Sequence, residues 1–283
     1  MNQMHTVFVY GTLQRGCSNH GLLAGSQFLG AAVTEDDFVM RTLVDAQGRR
    51  GIPFVGRDLP LGPVHGELFA VDDRTLGHLD QLEGCVPDDP DASWYRREKV
   101  GVRIGDSGEV HQAFIYLHER PASPLVASGR WKDAFHIANP CFYFAYGSNM
   151  NPQRMLERGV PFDQCMRADL SDHRLVFNKA GNGGMEAYAN AVPGKGERLP
   201  GLLYRIPLRA LEGQLDGFEG VSLGHYQRVE MQVLISGGPL ASVQRVNAWV
   251  YLACSAHIRS GLPVSERYMR HIRRGHALMG LPS

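Results

Sequence analysis

No charge of either sign dominates this 283-residue sequence: 29 Lys and Arg stand against 29 Asp and Glu, for a formal net charge of zero. A dedicated nucleic-acid binder carries a basic surplus, so no nucleic-acid partner is expected. Disulfide logic is missing too. The five cysteines (Cys17, Cys85, Cys141, Cys165, Cys254) are odd in number and no two form a CxxC pair, which fits reduced thiols better than a disulfide framework. No apolar run approaches the roughly 18 residues that span a bilayer. The start, MNQMHTVFVYGT, reads directly as a strand rather than a basic region followed by a long apolar segment. A cytoplasmic protein without a membrane partner is therefore expected. HExxH and GxGxxG are absent, and the 12 histidines show no ligand spacing. Metal and dinucleotide readings are accordingly poor, and no GxSxG elbow is expected to support serine-hydrolase chemistry.

What is present is an ordinary globular mix, 43% hydrophobic and 20% charged, with 33 glycines, and it is long enough for two domains. The chain repeats itself once. Val7-Phe8-Val9-Tyr10-Gly11-Thr12-Leu13 parallels Phe142-Tyr143-Phe144-Ala145-Tyr146-Gly147-Ser148-Asn149-Met150. Leu79-Asp80-Gln81-Leu82-Glu83-Gly84 parallels Leu215-Asp216-Gly217-Phe218-Glu219-Gly220. Tyr10 to Tyr146 and Glu83 to Glu219 are both 136 positions, so Tyr-Gly and Glu-Gly lie 73 apart in each half. Tyr95-Arg96-Arg97 and Tyr226-Gln227-Arg228 follow in order, then Ala113–Leu117 and Ala248–Leu252. The first copy has five extra residues after Glu-Gly, in the turn-rich stretch Val86–Asp91, which predicts a surface loop. The junction falls between Glu119 and Pro140: a first domain over 1–133, a linker over 134–140 and a second domain over 141–283.

Val7–Tyr10 and Phe142–Tyr146 predict central strands, as do Leu68–Val71 and Tyr204–Ile206. Asn151-Pro152 reads as an N-cap with proline at the first helical position, and Gly159 as the stop. Short helices are expected over 75–81 and 209–214, strands over 229–235 and 248–252, and a closing helix over 265–278. The fold class is α+β, without regular βαβα alternation. A strand ending in Tyr-Gly-Ser-Asn before a helix offers backbone N–H groups suited to a carboxylate or phosphate, or is a plain turn. Glu83 and Glu219 follow an apolar residue and precede glycine. Each is either a partly buried proton carrier or a solvent-facing cap. Asp80 and Asp216 read as structural. Tyr95 and Tyr226 either orient a polar ligand or edge the fold, and Arg97 and Arg228 read as salt-bridge residues. The basic run from Arg267 to Arg274 reads as a solvated helix face.

These residues resemble the gamma-glutamylcyclotransferase superfamily. VFVYGTLQRG (7–16), Asn19-His20 and LDQLEGC (79–85) are similar to the gamma-glutamylamine cyclotransferase branch. FYFAYGSNM (142–150), LDGFEG (215–220), Tyr226 and YMRHIRRGHALMGLP (268–282) are similar to gamma-glutamylcyclotransferase proper. The resemblance implies two tandem domains, each a mixed β-barrel flanked by helices, needing no metal or cofactor. It implies release of 5-oxoproline from gamma-glutamyl amides, with Glu83 and Glu219 as catalytic glutamates. It places substrate at Tyr10, Gly11, Thr12 and Leu13 in one half. In the other it places substrate at Tyr143, Phe144, Ala145, Tyr146, Gly147, Ser148 and Asn149. Tyr226 and Tyr268 match tyrosines of the second type of site, and Tyr95 is the counterpart of Tyr226. The tandem arrangement departs from the single-domain pattern, and the first half lacks the Tyr-bearing C-terminal helix. A binding protein without turnover, one active domain beside a structural one, and amide hydrolysis to free glutamate remain alternatives. The leaving amine, the oligomeric state and any coupling between sites are open.

Overall fold

The computed structural model describes residues 3–44, 50–105, 107–121, 123–133, 137–181, 183–236 and 245–280. Contacts divide the chain into two units, Met1–His136 and Ile137–Ser283. Of the expected linker, residues 134–136 lie outside the described set, and Pro140 already begins a strand.

The first unit contains β1 (Met4–Val9), β2 (Gln27–Thr34), β3 (Val39–Val44), β4 (Arg50–Gly56), β5 (His65–Asp72), α1 (Asp73–Glu83), β6 (Arg96–Ile104) and β7 (Val110–Leu117). Five strands close a barrel in the order β1-β5-β2-β6-β7, and β3 and β4 form a separate two-stranded sheet. β1 runs antiparallel to β5 and parallel to β7, meeting it at Val7 and Phe114. The buried half of β1, Val7–Val9, is apolar on both faces because each face meets its own core. Phe8 joins a core cluster with Leu68, Val100, Val102 and Ile115, while Val7 and Val9 pack with Phe69, Leu76 and Leu79. α1 starts where the Asp72 carboxylate accepts the Thr75 N–H at 2.8 Å and stops at Gly84, which is left-handed at φ 58°. Its Leu76 and Leu79 are buried, each contributing roughly 1.5–3 kcal/mol.

The second unit contains β8 (Pro140–Ala145), α2 (Pro152–Glu157), β9 (Gln164–Ala180), β10 (Ala187–Pro207), α3 (Leu208–Ala210), α4 (Asp216–Glu219), β11 (Tyr226–Ile235), β12 (Arg245–Ala253) and α5 (Glu266–Leu278). Its barrel, β10-β8-β12-β11-β9, repeats the first strand for strand. β8 is antiparallel to β10 and parallel to β12, meeting it at Tyr143 and Trp249. One difference is large. β2, β3, β4 and β5 of the first unit correspond to the two long strands β9 and β10, which stay paired across a register shift between Pro193 and Arg198. A second difference is local. The helix expected over 209–214 continues through α3, a π turn (Leu211–Leu215) and α4. α4 ends at Gly220, left-handed at φ 64°. Two closed mixed barrels with few helices make the fold α+β, as the residues predicted.

The turn-rich stretch after Glu83 is an exposed loop with a short 3₁₀ turn, Pro90–Ala92. Asn151 caps α2 by accepting the Gln153 N–H at 3.1 Å, and Gly159 follows with φ 70°. Among the described residues no helix is long and apolar enough to cross a membrane.

Candidate active sites

Each glutamate occupies the same place in its own unit. Glu83 is the last residue of α1 and Glu219 the last of α4, each followed by a left-handed glycine. Such a glycine ends the helix without a Cβ penalty and leaves the glutamate pointing back across the barrel end. Opposite stands the turn that follows β1 or β8.

In the first unit a cavity of about 40 Å³ is lined by the turn Tyr10–Leu13, Pro53, Glu83, Tyr95 and Tyr116, among others. The Tyr10 hydroxyl donates to the Tyr116 carbonyl, and Tyr95 donates to the Pro53 carbonyl at 2.7 Å. Glu83 has no ion pair or hydrogen bond to its carboxylate among the described residues. Burial alone pushes its carboxyl up to about 7, since desolvation disfavours the charged form.

In the second unit a small compartment of about 30 Å³ is lined by Tyr143, the turn Tyr146–Asn149, Glu219, Tyr226, Tyr251 and Tyr268. It shares Ser148, Glu219, Tyr226 and Tyr268 with an outer cavity of about 290 Å³. The Tyr146 hydroxyl donates to the Tyr251 carbonyl, and Tyr226 donates to the Ala189 carbonyl at 2.7 Å. These repeat the Tyr10–Tyr116 and Tyr95–Pro53 bonds. Glu219, however, is met. Its Oε1 accepts from Asn149 Nδ2 and from Arg158 Nη1, both at 3.1 Å. Asn149 Nδ2 also donates to the Tyr143 hydroxyl at 2.8 Å.

A second constellation braces each site. Asp80 accepts from Arg97 and, at 2.7 Å, from Tyr116. Asp216 accepts from Arg228 at 2.9 Å and from Tyr251 at 2.7 Å. These aspartates are structural, as expected, and they tie the helix to the strands carrying Tyr116 and Tyr251. The turn glycines serve close approach rather than a positive φ. A Cβ on Gly11 would lie 2.2 Å from Pro53 Cγ, and one on Gly147 would lie 2.9 Å from the Tyr268 hydroxyl and 3.0 Å from Ala189. Neither glycine has a left-handed backbone.

The comparisons with known proteins agree with this doubling. The family described as gamma-glutamyl cyclotransferase, AIG2-like, matches twice, over residues 7–133 and 143–270. The chain belongs to that family. It is an enzyme family, and the relatives divide along its two names. A Methanocaldococcus jannaschii protein named provisionally as a gamma-glutamylcyclotransferase is 37% identical over 131 residues, 46% of this chain and 98% of the relative. A gamma-glutamylaminecyclotransferase of Danio rerio is 32% identical over 123 residues, 40% of this chain and 74% of the relative. The solved structure of YkqA from Bacillus subtilis covers 98% of this chain and 93% of its own, at 28% identity and a TM-score of 0.42.

Of the family-site residues expected from sequence, most converge on the cavities, and two do not. Phe144 and Ala145 are buried in β8 and line neither compartment. Strand alternation turns Phe144 away from the face that carries Tyr143. Tyr268 enters from α5, is 9% exposed, and its hydroxyl accepts the Ala189 N–H at 3.2 Å. Sequence reasoning passed over Tyr116, Tyr251, Arg154, Arg158, Lys179 and His225. It also passed over the letters Gly220-Val221-Ser222-Leu223-Gly224, which do match GxSxG. There Ser222 is exposed in a 3₁₀ turn that leaves a helix, not in a strand-to-helix elbow, so it is no activated nucleophile. Of the basic run on α5, Arg267, Arg270 and Arg273 are exposed. His271 faces inward, within 2.9 Å of Asn151 Nδ2 and 3.2 Å of Arg154 Nη1. Among the described residues no cluster of His, Cys, Asp or Glu is arranged to hold a metal ion.

Proposed function

We propose that both halves release 5-oxoproline from gamma-glutamyl amides. One observation carries the reading: in each unit a half-buried glutamate at a helix end faces the Tyr-Gly turn across a cavity, with the same two tyrosine-to-carbonyl bonds around it. The internal bonds of the turns begin only at Gln14 N–H to the Gly11 carbonyl and Met150 N–H to the Gly147 carbonyl, and the earlier N–H groups of the turn suit the substrate's α-carboxylate. The glutamate takes a proton from the α-ammonium. The freed amine nitrogen attacks the γ-carbonyl carbon, forming the ring C–N bond. The amide C–N bond then breaks as the glutamate gives its proton to the leaving nitrogen, and the carboxylate so freed passes the ring nitrogen's remaining extra proton to the released amine, so that 5-oxoproline and an ammonium leave. Proximity is supplied by the substrate, because the attack is a five-membered ring closure.

The test is 5-oxoproline release from a panel of gamma-glutamyl amino acids and gamma-glutamylamines by wild type, Glu83→Gln, Glu219→Gln and the double variant. Each single variant is expected to lose one part of the activity, and the double variant at least 100-fold of the whole, as general acid–base catalysis contributes ~10²–10⁴. Full activity in the double variant would falsify the proposal. Ligand binding with no product from any panel member would favour a binding protein, and free glutamate as product would favour hydrolysis.

A further inference from the structure

The outer cavity of the second unit is unbalanced in charge. Its walls carry Arg154, Arg158 and Lys179 against one carboxylate, Glu219. Arg158 is spoken for by Glu219 and by Asn149 Oδ1, at 3.1 and 2.8 Å. The other two cations are not neutralised. Among the described residues Arg154 has one side-chain hydrogen-bond partner, a histidine ring nitrogen at Nη1, and its Nε is buried without a partner, with Glu219 and Glu157 acting on it only through space. Lys179 is 6% exposed. Among the described residues its ammonium has no hydrogen bond or ion pair, only the faces of Tyr226 and Tyr188 at 5.1 and 5.5 Å. Burial lowers its pKa, with Glu219 pulling the other way.

A buried ammonium without a counter-ion is unfavourable, and an anion entering the cavity would relieve that cost. Here both uncompensated cations line a cavity open to a residue-sized group. On the cyclotransferase reading the glutamyl head lies beside the turn and Glu219, which leaves the outer cavity, with Lys179 and Arg154, to the leaving amine. We propose that Lys179 and Arg154 form a two-cation anion site, and that the second unit takes gamma-glutamyl compounds whose leaving amine carries two negative charges, as an acidic amino acid does. This rests on the cyclotransferase reading for the word "leaving", but the anion site itself does not. His225 lies on the same wall, and burial, then Lys179 and His257, lower its pKa.

Three nearly isosteric ligands isolate the charge: gamma-glutamyl-glutamate, gamma-glutamyl-glutamine and gamma-glutamyl-glutamine amide, with two, one and no charges on the leaving group. In Glu83→Gln protein, which leaves only the second site, kcat/KM for 5-oxoproline release is expected to fall about tenfold or more at each lost charge. Lys179→Met should abolish one of the two steps, and Lys179→Arg should keep both. A flat series, or a Lys179→Met effect equal for all three ligands, overturns the proposal. Calorimetry of the same ligands on the Glu83→Gln/Glu219→Gln protein, with and without Lys179→Met or Lys179→Gln, repeats the test without turnover. A charge preference there with no product from active protein keeps the anion site and overturns the cyclotransferase reading. No preference there overturns the anion site whatever the turnover. Melting curves for each variant identify any that fail to fold.

Discussion

Glu83 and Glu219 end equivalent helices, yet they meet different neighbours. The turn position that is Asn149 in the second unit is Leu13 in the first. Asn149 supplies an N–H donor to Glu219, whereas Leu13 supplies only apolar contact within the core around Leu23, Leu76 and Leu79. Glu83 accordingly holds its proton to about pH 7 when folded, against an ordinary 4.5 when unfolded. The folded unit then binds more protons than the unfolded chain between those values, so stability falls as pH rises through that window. Glu83→Gln is expected to leave the first unit's melting temperature unchanged near pH 4 and to raise it at pH 8. The gain is bounded by ~1.4 kcal/mol per pKa unit. Thermal unfolding at the two pH values checks this, and an equal difference at both would show that burial does not hold the proton. Activity of the first site, read in Glu219→Gln protein, should rise through pH 7 as Glu83 ionises. Leu13→Asn should move that limb downward by giving the carboxylate a donor.

At the scale of elements, the turn is held from behind. In the second unit α5 lies against Ser148–Met150 through Gly275, where a Cβ would sit 2.3 Å from Met150 Cβ. Gly275→Ala is expected to cost roughly 1–3 kcal/mol of stability by overpacking. It should lower 5-oxoproline release by the second site more than by the first, and a matched loss in both would refute the local brace. Elements recognisable by local chemistry were legible in the residues. β1 and β8 were, because both faces are apolar. α2 was, because Asn-Pro starts it and glycine stops it. The long β9–β10 hairpin was not, because Pro193, Gly194, Gly196 and Pro200 read as loop, while the sheet absorbs them with a register shift. The site was legible in the same partial way. Comparing two copies finds what they share, hence Tyr-Gly, Glu-Gly and Tyr95 with Tyr226. It is blind to what only one copy has. At the same offset of 136, Arg154, Arg158 and Lys179 fall opposite Ser18, Leu22 and Leu43, so no shared motif marks them.

For the whole molecule, each barrel owns a closed sheet, a core and a cavity. Residues 1–136 and 137–283, expressed separately, are expected to unfold cooperatively on their own and to keep the activity of their respective sites. Failure of either fragment to show a cooperative denaturant transition would contradict that independence. Among the described residues the lining of the first cavity includes no Lys, Arg or His, so the isolated first unit should show no preference for an anionic leaving group across the three isosteric ligands.

The parallel pairing of β1 with β7 has a consequence for synthesis. A nascent chain that carries two similar barrels is exposed to strand exchange between copies, a known failure of tandem repeats. Here every strand of the first barrel has been made once translation reaches Leu117, before β8 begins at Pro140. The first sheet can therefore close on itself, leaving no edge, before its near-duplicate leaves the ribosome. Order of manufacture thus gives the first copy its chance to close before the second can offer it a strand.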